Sequence, residues 1–454
     1  MKTLIRHLAV VVSAVYAASA LPARAEMLLD WNTQAINAIQ ANSTDVAQAS
    51  RDLALMSTAI YDAINGIDGG FTAYFVQGSG PSGASMEAAA ASAAKTVLEA
   101  LYPSMGSSFT TLYADQLSTI GNGQAKTDGI NWGSQVATAI LTARAGDGAS
   151  NAATTPYNPS GQIGRWAATP THSGPGYQFP PTEPGWGNVV PFGITQGNQF
   201  RPAGTLDVTS AAYAASFNEV KDLGSGTSAT RTAEQTTAAY AWAGAIGTAT
   251  AAGQWNQVAA NIIQSAVLDL RTQARILATL NIAVADATIS AFDASYANDN
   301  WRPVTGIAYG GDNVVDFDGN ALTTGDDFWD PLLDTPPMPS FVNANTAIAG
   351  AAAKVLKYYF GNTSLQLMVD TDGDGIADSL VTYSVDGALN DAKMAPIYGG
   401  TDFGYATDAG ALAGDQSADY DLAHYFLPVA QVPEPSSLLL VAGGLTLLRR
   451  RRRA

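Results

Sequence analysis

Three short segments between residues 299 and 414 decide which fold this chain adopts. They read Asn300-Trp301-Arg302-Pro303, Val342-Asn343-Ala344-Asn345 and Ile397-Tyr398-Gly399-Gly400-Thr401-Asp402. The second segment follows a proline-rich turn over residues 335–339 and begins a helical pattern of apolar residues that extends to about Phe360. The order and spacing of these segments are more informative about the fold than any other part of the chain.

This layout resembles that of the vanadium-dependent haloperoxidases and their relatives, the type 2 acid phosphatases. Other segments of the chain are similar to the bacterial members of that group: Pro184-Gly185-Trp186-Gly187-Asn188, Gln199-Phe200-Arg201-Pro202, Arg231-Thr232-Ala233-Glu234-Gln235-Thr236 and Trp255-Asn256-Gln257. The resemblance extends from about Trp31 to Tyr425. It implies the fold of that family, a large all-α helical bundle.

The resemblance also implies a pocket for vanadate or phosphate. In the family, the pocket has a Lys and an Arg seven residues apart, a Pro-Ser-Gly-His segment at a helix start, and a Ser-Arg pair followed by a His. Only the first arginine matches here, as Arg302. The other pocket positions hold different residues: Ser295 for the Lys, Asn343 and Asn345 for the Ser and His of the helix start, Pro396 for the second Arg, and Asp402 for the final His.

These replacements predict that the pocket has lost its chemistry. An oxyanion needs cations and fixed hydrogen-bond donors in place of its water. Asp402 instead adds a negative charge, which costs several kcal/mol in a partly buried site. We therefore expect no bound vanadate and no family activity. Arg302 has two interpretations: it pairs with Asp402 or another acid and is kept for structure, or it keeps a role in anion binding.

Histidines elsewhere offer no replacement in a family motif. After the first 25 residues, the chain has two, His172 and His424. We interpret His172 as a surface or packing residue.

The N-terminus has the pattern of a secretory signal. Lys2 and Arg6 precede an apolar stretch over residues 8–20, and Ala23-Arg24-Ala25 forms an A-x-A cleavage site. We expect signal peptidase to remove residues 1–25. The alternative, a buried first helix, fits the pattern less well.

The C-terminus resembles a PEP-CTERM sorting signal. Pro433, Glu434 and Pro435 precede an apolar run from Leu438 to Leu448, and five arginines follow. The run is shorter than the roughly 20 residues that span a bilayer. The resemblance implies transient membrane anchoring of residues 431–454, cleavage by an exosortase, and release to the surface or extracellular matrix of a Gram-negative bacterium. A plain tail anchor is the alternative.

Composition limits the function classes further. The chain has 39 acidic and 22 basic residues, a net charge of −17, and eight of the basic residues lie in the two terminal signals. Such a surface repels nucleic acid and anionic lipid. The chain has no cysteine, which excludes disulfides, thiolate catalysis and Cys-based zinc or iron–sulfur sites.

Apolar residues at intervals of three and four predict helices through most of the body. The predicted helical ranges are Trp31 to Ile67, Met86 to Leu101, Gly129 to Arg144, Ser210 to Leu223, a helix starting at Thr232 with a Thr232/Gln235 capping box, Gln254 to Tyr296 as two helices or one bent helix, Asn343 to Phe360, and Tyr405 to Phe426. We interpret residues 26–430 as a single all-α domain.

Two regions of the body have other patterns. Residues 152–202 are rich in proline and glycine and are predicted to be irregular, held to the helices by Trp166, Trp186 and Phe192. Leu365 to Val369 and Leu380 to Ser384 are predicted to pair as a small β-hairpin.

The turn of that hairpin resembles calcium loops of the dockerin type. Asp370, Asp372, Asp374 and Asp378 fit the pattern D-x-D-x-D-G-x-x-D, whose oxygens suit a hard cation. Position 12 is Val381, so the usual bidentate acid is missing unless a distant carboxylate such as Asp386 replaces it. The alternatives are a structural calcium site and a solvated acidic turn. A second group of acids, including Asp312, Asp316 and Asp318, has a less specific spacing.

Two functions follow from these observations. The first is an exported surface or matrix protein on a haloperoxidase-like scaffold without its reaction, with a binding or structural role in the envelope or an exopolysaccharide matrix. The second is a divergent haloperoxidase or phosphoesterase that uses Arg302 and a changed pocket.

Overall fold

The computed structural model describes residues 26–170, 177–178, 180–309 and 318–429. Both terminal signals, His172, Asp312 and Asp316 lie outside the described residues.

The described part of the chain is built mainly from α-helices, which confirms the predicted all-α class. The helices are α1 (26–41), α2 (Val46–Asp68), α3 (Met86–Leu101), α4 (Gly106–Ser118), α5 (Gln124–Arg144), α6 (Ala149–Ala152), α7 (Ala211–Gly224), α8 (Ala233–Ala241), α9 (Thr250–Ala266), α10 (Leu270–Asn298), α11 (Pro303–Tyr309), α12 (Ala344–Phe360), α13 (Val385–Tyr398) and α14 (Gly404–His424). Short 3₁₀ turns lie at Pro103–Met105, Trp186–Asn188 and Gly197–Phe200.

Polar side chains set several of the helix starts. Thr232 and Gln235 form the predicted capping box at the start of α8. Ser210 accepts a hydrogen bond from the backbone N–H of Tyr213 and so caps α7, and Asp269 does the same for α10 through Thr272. These caps explain why sequence patterns located the starts to within a residue or two at α7, α8 and α12.

The structure differs from the predicted helices in two ways: one predicted helix is divided, and some helices were not predicted. The helical pattern from Trp31 to Ile67 is divided, because the side chain of Asp45 caps a new helix, α2. Four helices were not predicted: α4, α13 and the two short helices α6 and α11. Only Phe109 and Gln116 are buried along α4, so its apolar spacing is weak, and α13 contains Pro396, which the sequence alone marks as a helix breaker.

The proline-rich region is irregular, as predicted, and is held by buried aromatic side chains. Trp166, Trp186 and Phe192 are at most 5% exposed. Within the region, β1 (Thr169–Pro170) pairs with β2 (Tyr177–Gln178).

The predicted hairpin is present. Strands β3 (Ser364–Val369) and β4 (Ser379–Ser384) are antiparallel, with Ser364 opposite Ser384 and Val369 opposite Ser379. Alternate residues of β3 are buried against the helices, and this fixes the hairpin register.

Helix α10 is the central element of the core. It packs against α2, α12 and α14. Among the described residues it is the one helix long and apolar enough to cross a membrane, and 94% of its most apolar window is buried within the protein. Its composition therefore reflects a core helix surrounded by other helices.

Candidate functional site

Arg302 lies in the short connection between α10 and α11. Asp299 ends α10 in the left-handed conformation, and Pro303 begins α11. The Arg302 side chain is buried. Its Nε donates to the Met338 carbonyl oxygen at 2.7 Å, and its Nη2 donates to that of Pro339 at 3.3 Å. The guanidinium group therefore holds the proline-rich turn against the end of α10.

The remaining Arg302 nitrogen, Nη1, is bound to the segment before α14. It donates to Oδ2 of Asp402 at 2.6 Å and to the carbonyl oxygen of Thr401 at 3.2 Å. This is the pairing that the first interpretation of Arg302 predicts.

Asp402 accepts hydrogen bonds at both carboxylate oxygens and is fully buried. Besides Arg302, Ser340 Oγ donates to Oδ1 at 2.8 Å and Asn343 Nδ2 donates to Oδ2 at 2.7 Å. Burial raises the pKa of Asp402, and the charge of Arg302 and the hydrogen bonds from Ser340 and Asn343 act against this rise. The carboxylate is thus the centre of a buried network in which one guanidinium group supplies the compensating charge.

Asn343 connects this network to the start of α12. Its Oδ1 accepts from the backbone N–H of Thr346 at 2.9 Å, which caps the helix, while its Nδ2 donates to Asp402. The capping amide therefore places the carboxylate near the positive end of the helix. One asparagine does both tasks because its amide has an acceptor and a donor.

The other predicted pocket positions bond elsewhere. Ser295 Oγ donates to the carbonyl oxygen of Val342 at 2.9 Å. Asn345 Nδ2 donates to that of Ala243 at 3.0 Å. Pro396 lies within α13, and its carbonyl oxygen accepts from the backbone N–H groups of Thr401 and Asp402. The structure therefore brings together Arg302, Asn343 and Asp402, and it gives Ser295, Asn345 and Pro396 structural partners.

Ser340 is the site residue that sequence reasoning missed. It follows the proline-rich turn directly, and its Oγ is a hydrogen-bond donor to Asp402. Its position in the sequence could have indicated this role, since the turn lies next to the start of α12. Without the fold, however, a serine at this position could equally well have served other roles.

Aromatic rings cover one side of the network. Phe403 and Tyr405 stack with centroids 5.5 Å apart, and Phe403 also contacts Tyr213. Tyr405 Oη accepts from Asn300 Nδ2 at 2.8 Å. These contacts bury the residues on either side of Arg302 and Asp402 and shield the pair from water.

The acidic loop of the hairpin brings three of its four predicted carboxylates together. Ligand oxygens of Asp370, Asp372 and Asp374 lie within 4.8 Å of one another. Asp378 instead accepts from Thr371 Oγ1 at 2.9 and 3.1 Å. Asp386, the possible distant replacement ligand, forms an ion pair with Lys357 at 2.9 Å.

His424 belongs to the surface of α14. Its Nδ1 lies 2.7 Å from the carbonyl oxygen of Tyr420, and its ring stacks on that of Tyr420. Both contacts therefore lie within its own helix.

Comparison with known proteins supports the fold. Residues 275–428 match the family model described as the VCPO second helical-bundle domain, and residues 431–453 match the PEP-CTERM protein-sorting motif. No curated protein matches the chain.

Three solved bacterial structures are similar over most of the chain. A vanadium-dependent iodoperoxidase has a TM-score of 0.76 at 23% identity, over 90% of this chain and 98% of its own. The apo and holo forms of a vanadium-dependent chloroperoxidase have TM-scores of 0.66 and 0.67 at 16% identity, over 83% and 84% of this chain and 93% and 91% of theirs. The chain therefore has the helical fold of the vanadium-dependent haloperoxidases, with a VCPO second helical-bundle domain over residues 275–428 and a PEP-CTERM sorting motif at its C-terminus.

Proposed function

We propose that this protein uses a haloperoxidase-like scaffold for binding or structure in the cell envelope, without haloperoxidase or phosphatase chemistry. The observation that carries this proposal is the carboxylate of Asp402, which receives the hydrogen bonds of Arg302, Ser340 and Asn343. In effect, the protein supplies its own anion at the helix start where an oxyanion would need to sit.

Charge argues against a second anion at this position. Vanadate or phosphate would lie beside the Asp402 carboxylate, with Arg302 as the cation already paired to it. Like charges in a buried site disfavour each other strongly. Four hydrogen bonds already occupy the three guanidinium nitrogens of Arg302, and three of those bonds go to carbonyl oxygens. The residues present therefore do not fit a bound oxyanion.

Burial argues against substrate access as well. Arg302 and Asp402 are at most 3% exposed, and Ser340 is fully buried. A peroxide or phosphate ester could reach the pair only after surrounding groups moved, such as the turn over residues 335–339, which contacts Arg302. That movement would break the bonds from Arg302 to Met338 and Pro339.

The sorting motif supports the cellular part of the proposal. A PEP-CTERM motif implies export and processing by an exosortase-type enzyme, and so a protein associated with the cell envelope. We place the mature protein at the surface or in an exopolysaccharide matrix. The acidic, cysteine-free body suits a soluble protein in that setting.

The test is a direct assay of the mature protein. Purified protein would be incubated with vanadate, bromide and peroxide, and separately with a phosphate ester. We expect no turnover above that of vanadate in buffer. Turnover that disappears in Arg302→Lys, and persists in the surface control Arg271→Ala, would overturn the proposal and establish the divergent enzyme instead.

A further inference from the structure

A pair of buried carboxyl groups lies away from the Arg302–Asp402 pair, where α10 and α14 pack together. Asp286 is in the middle of α10, and Asp421 is one turn from the end of α14. Both side chains are 0% exposed. Nothing in the haloperoxidase-like pocket uses either of them.

Asp286 is held by the backbone of the proline-rich region. Its oxygens accept from the N–H groups of Phe192 and Gly193 at 2.6 Å and of Ile194 at 2.9 Å. Three converging backbone donors stabilise an ionised carboxylate. Burial raises the pKa of Asp286, and these hydrogen bonds oppose that rise.

Asp421 is in the opposite situation. Within the part of the chain that the structure describes, neither of its buried oxygens has a hydrogen-bond partner. Burial, followed by the nearby charge of Asp286, raises the pKa of Asp421 well above its usual value. A buried carboxyl group without partners is costly, so this position needs a further explanation.

Gly193 shows that the two carboxyl groups meet. A Cβ atom on Gly193 would overlap Oδ1 of Asp421 and would lie 3.0 Å from Oδ2 of Asp286. The two oxygens therefore face the same small volume beside the Gly193 backbone, and any side chain at residue 193 would fill it.

Two hydroxyl groups lie one helical turn from the pair. Ser417 precedes Asp421 by four residues on α14, and Ser290 follows Asp286 by four on α10, so each shares a helix face with its carboxyl group. Both are at most 1% exposed, and among the described residues neither Oγ has a hydrogen-bond partner. Within the described residues, four buried oxygen atoms on these two helices therefore lack partners, two on Asp421 and one on each serine.

Arg144, whose charge acts on Asp286, forms its hydrogen bonds with other groups. Arg144 Nη2 donates to the Val190 carbonyl oxygen at 2.6 Å, and its Nη1 donates to that of Pro191 at 2.9 Å. Its remaining donor, Nε, bonds to Asp147. The guanidinium group therefore orders the loop before Phe192 and forms no direct bond to Asp421.

We propose that Asp286 and Asp421 bind one hard divalent cation, Ca²⁺ or Mg²⁺, with the hydroxyl groups of Ser290 and Ser417 as neutral ligands. Carboxylate and hydroxyl oxygens are the ligands that these cations prefer. Two carboxylates balance the charge of one divalent ion, which removes the cost of burying them together. The ion joins α10, α14 and the loop at residues 192–194, so its role is structural.

The experiment uses the mature protein with Asp372→Ala as background, so that the acidic hairpin loop does not contribute. Protein prepared with Ca²⁺ or Mg²⁺ would be passed through a desalting column. Its metal content and melting temperature would then be compared with those of chelator-treated protein. We expect about one retained ion per chain and a higher melting temperature with the ion, and both effects should disappear in Asp421→Asn.

Two further variants make the result decisive. Asp419→Asn is the matched control, because Asp419 is exposed on the same helix and pairs with Lys354, and it should retain the ion. Ser417→Ala should fold and bind the ion about tenfold more weakly, which tests the site even if Asp421→Asn is unstable. No retained ion, with Asp421→Asn as stable as its parent or more so, would overturn the proposal and assign the pair to a shared proton.

Discussion

Arg302 Nη1 and Asp402 Oδ2 lie 2.6 Å apart although 100 positions separate the two residues in sequence. Their contact joins the connection after α10 to the residue pair before α14. The side chains are 3% and 0% exposed, so water does not screen the interaction. The bond is therefore a tertiary constraint on two helix ends, those of α10 and α14, and the bond from Asn343 to Asp402 adds the start of α12.

Removing the arginine alone should destabilise the protein strongly. Arg302→Met leaves the Asp402 carboxylate buried without its cation, and such losses cost about 3 to 5 kcal/mol. Urea denaturation at pH 7 measures the change. The surface control Arg271→Ala, which breaks exposed ion pairs with Asp68 and Asp269, should lose less than about 1 kcal/mol.

The double variant Arg302→Met with Asp402→Leu should recover part of that loss, because it removes the unpaired charge along with its partner. If the double variant loses as much as the sum of the two single variants, the pair is not coupled and the proposed internal anion is wrong.

The close crossing of α12 and α14 gives a second prediction. A Cβ on Gly414 would overlap the carbonyl oxygen of Ala347. Gly414→Ala should therefore lower the free energy of unfolding by about 1 to 3 kcal/mol, although alanine favours helices. Gly121→Ala, where a Cβ meets open space, is the control and should be close to neutral. Equal stability of both variants in thermal denaturation would show that the crossing is looser than described.

Calcium binding by the hairpin loop stays a prediction. Three carboxylates converge there, and Asp370 also accepts from the N–H groups of Asp372, Gly373 and Gly375, which orders the turn. We expect calorimetry to detect one Ca²⁺ that Asp372→Ala removes. To separate this site from the Asp286–Asp421 pair, the parent protein and the Asp372→Ala variant would both carry Asp421→Asn. Absence of heat and of any change in melting temperature would identify a solvated acidic turn.

Asp52 should give the stability of the protein a distinct pH dependence. Burial raises its pKa from 3.8 to about 6, while hydrogen bonds from Tyr102 and Gln48 oppose the rise. Because the folded state binds the proton more tightly, the stabilisation is present at low pH and is lost as the pH rises from about 4 to 6. Relative to Asp52→Asn, the wild type should lose about 3 kcal/mol across that interval.

Urea denaturation at several pH values between 4 and 7 measures this difference. Gly121→Ala, which removes no titratable group, is the control and should give a curve parallel to that of the wild type. A parallel curve for Asp52→Asn as well would show that Asp52 titrates normally.

Much of the helical architecture follows from local patterns. Met86–Leu101 was located to the residue, and the capping box of Thr232 and Gln235 was identified directly, because caps and apolar spacing act over only a few neighbouring positions. Local patterns failed at α4, where few residues are buried, and at α13, where surrounding packing accommodates Pro396 within a helix.

The candidate sites also combine features that are evident in the sequence with features that arise only in the tertiary structure. The residues that stand at the predicted pocket positions could be read from the chain. The contact of Arg302 with Asp402, the donor Ser340, and the meeting of Asp286 with Asp421 depend on segments 62 to 135 positions apart, a range given by the pairs Ser340–Asp402 and Asp286–Asp421. Local sequence propensity does not determine which buried carboxylate pairs with a cation. That outcome is decided when helices pack, since only then does desolvation force each buried charge to be paired, protonated or bound to an ion.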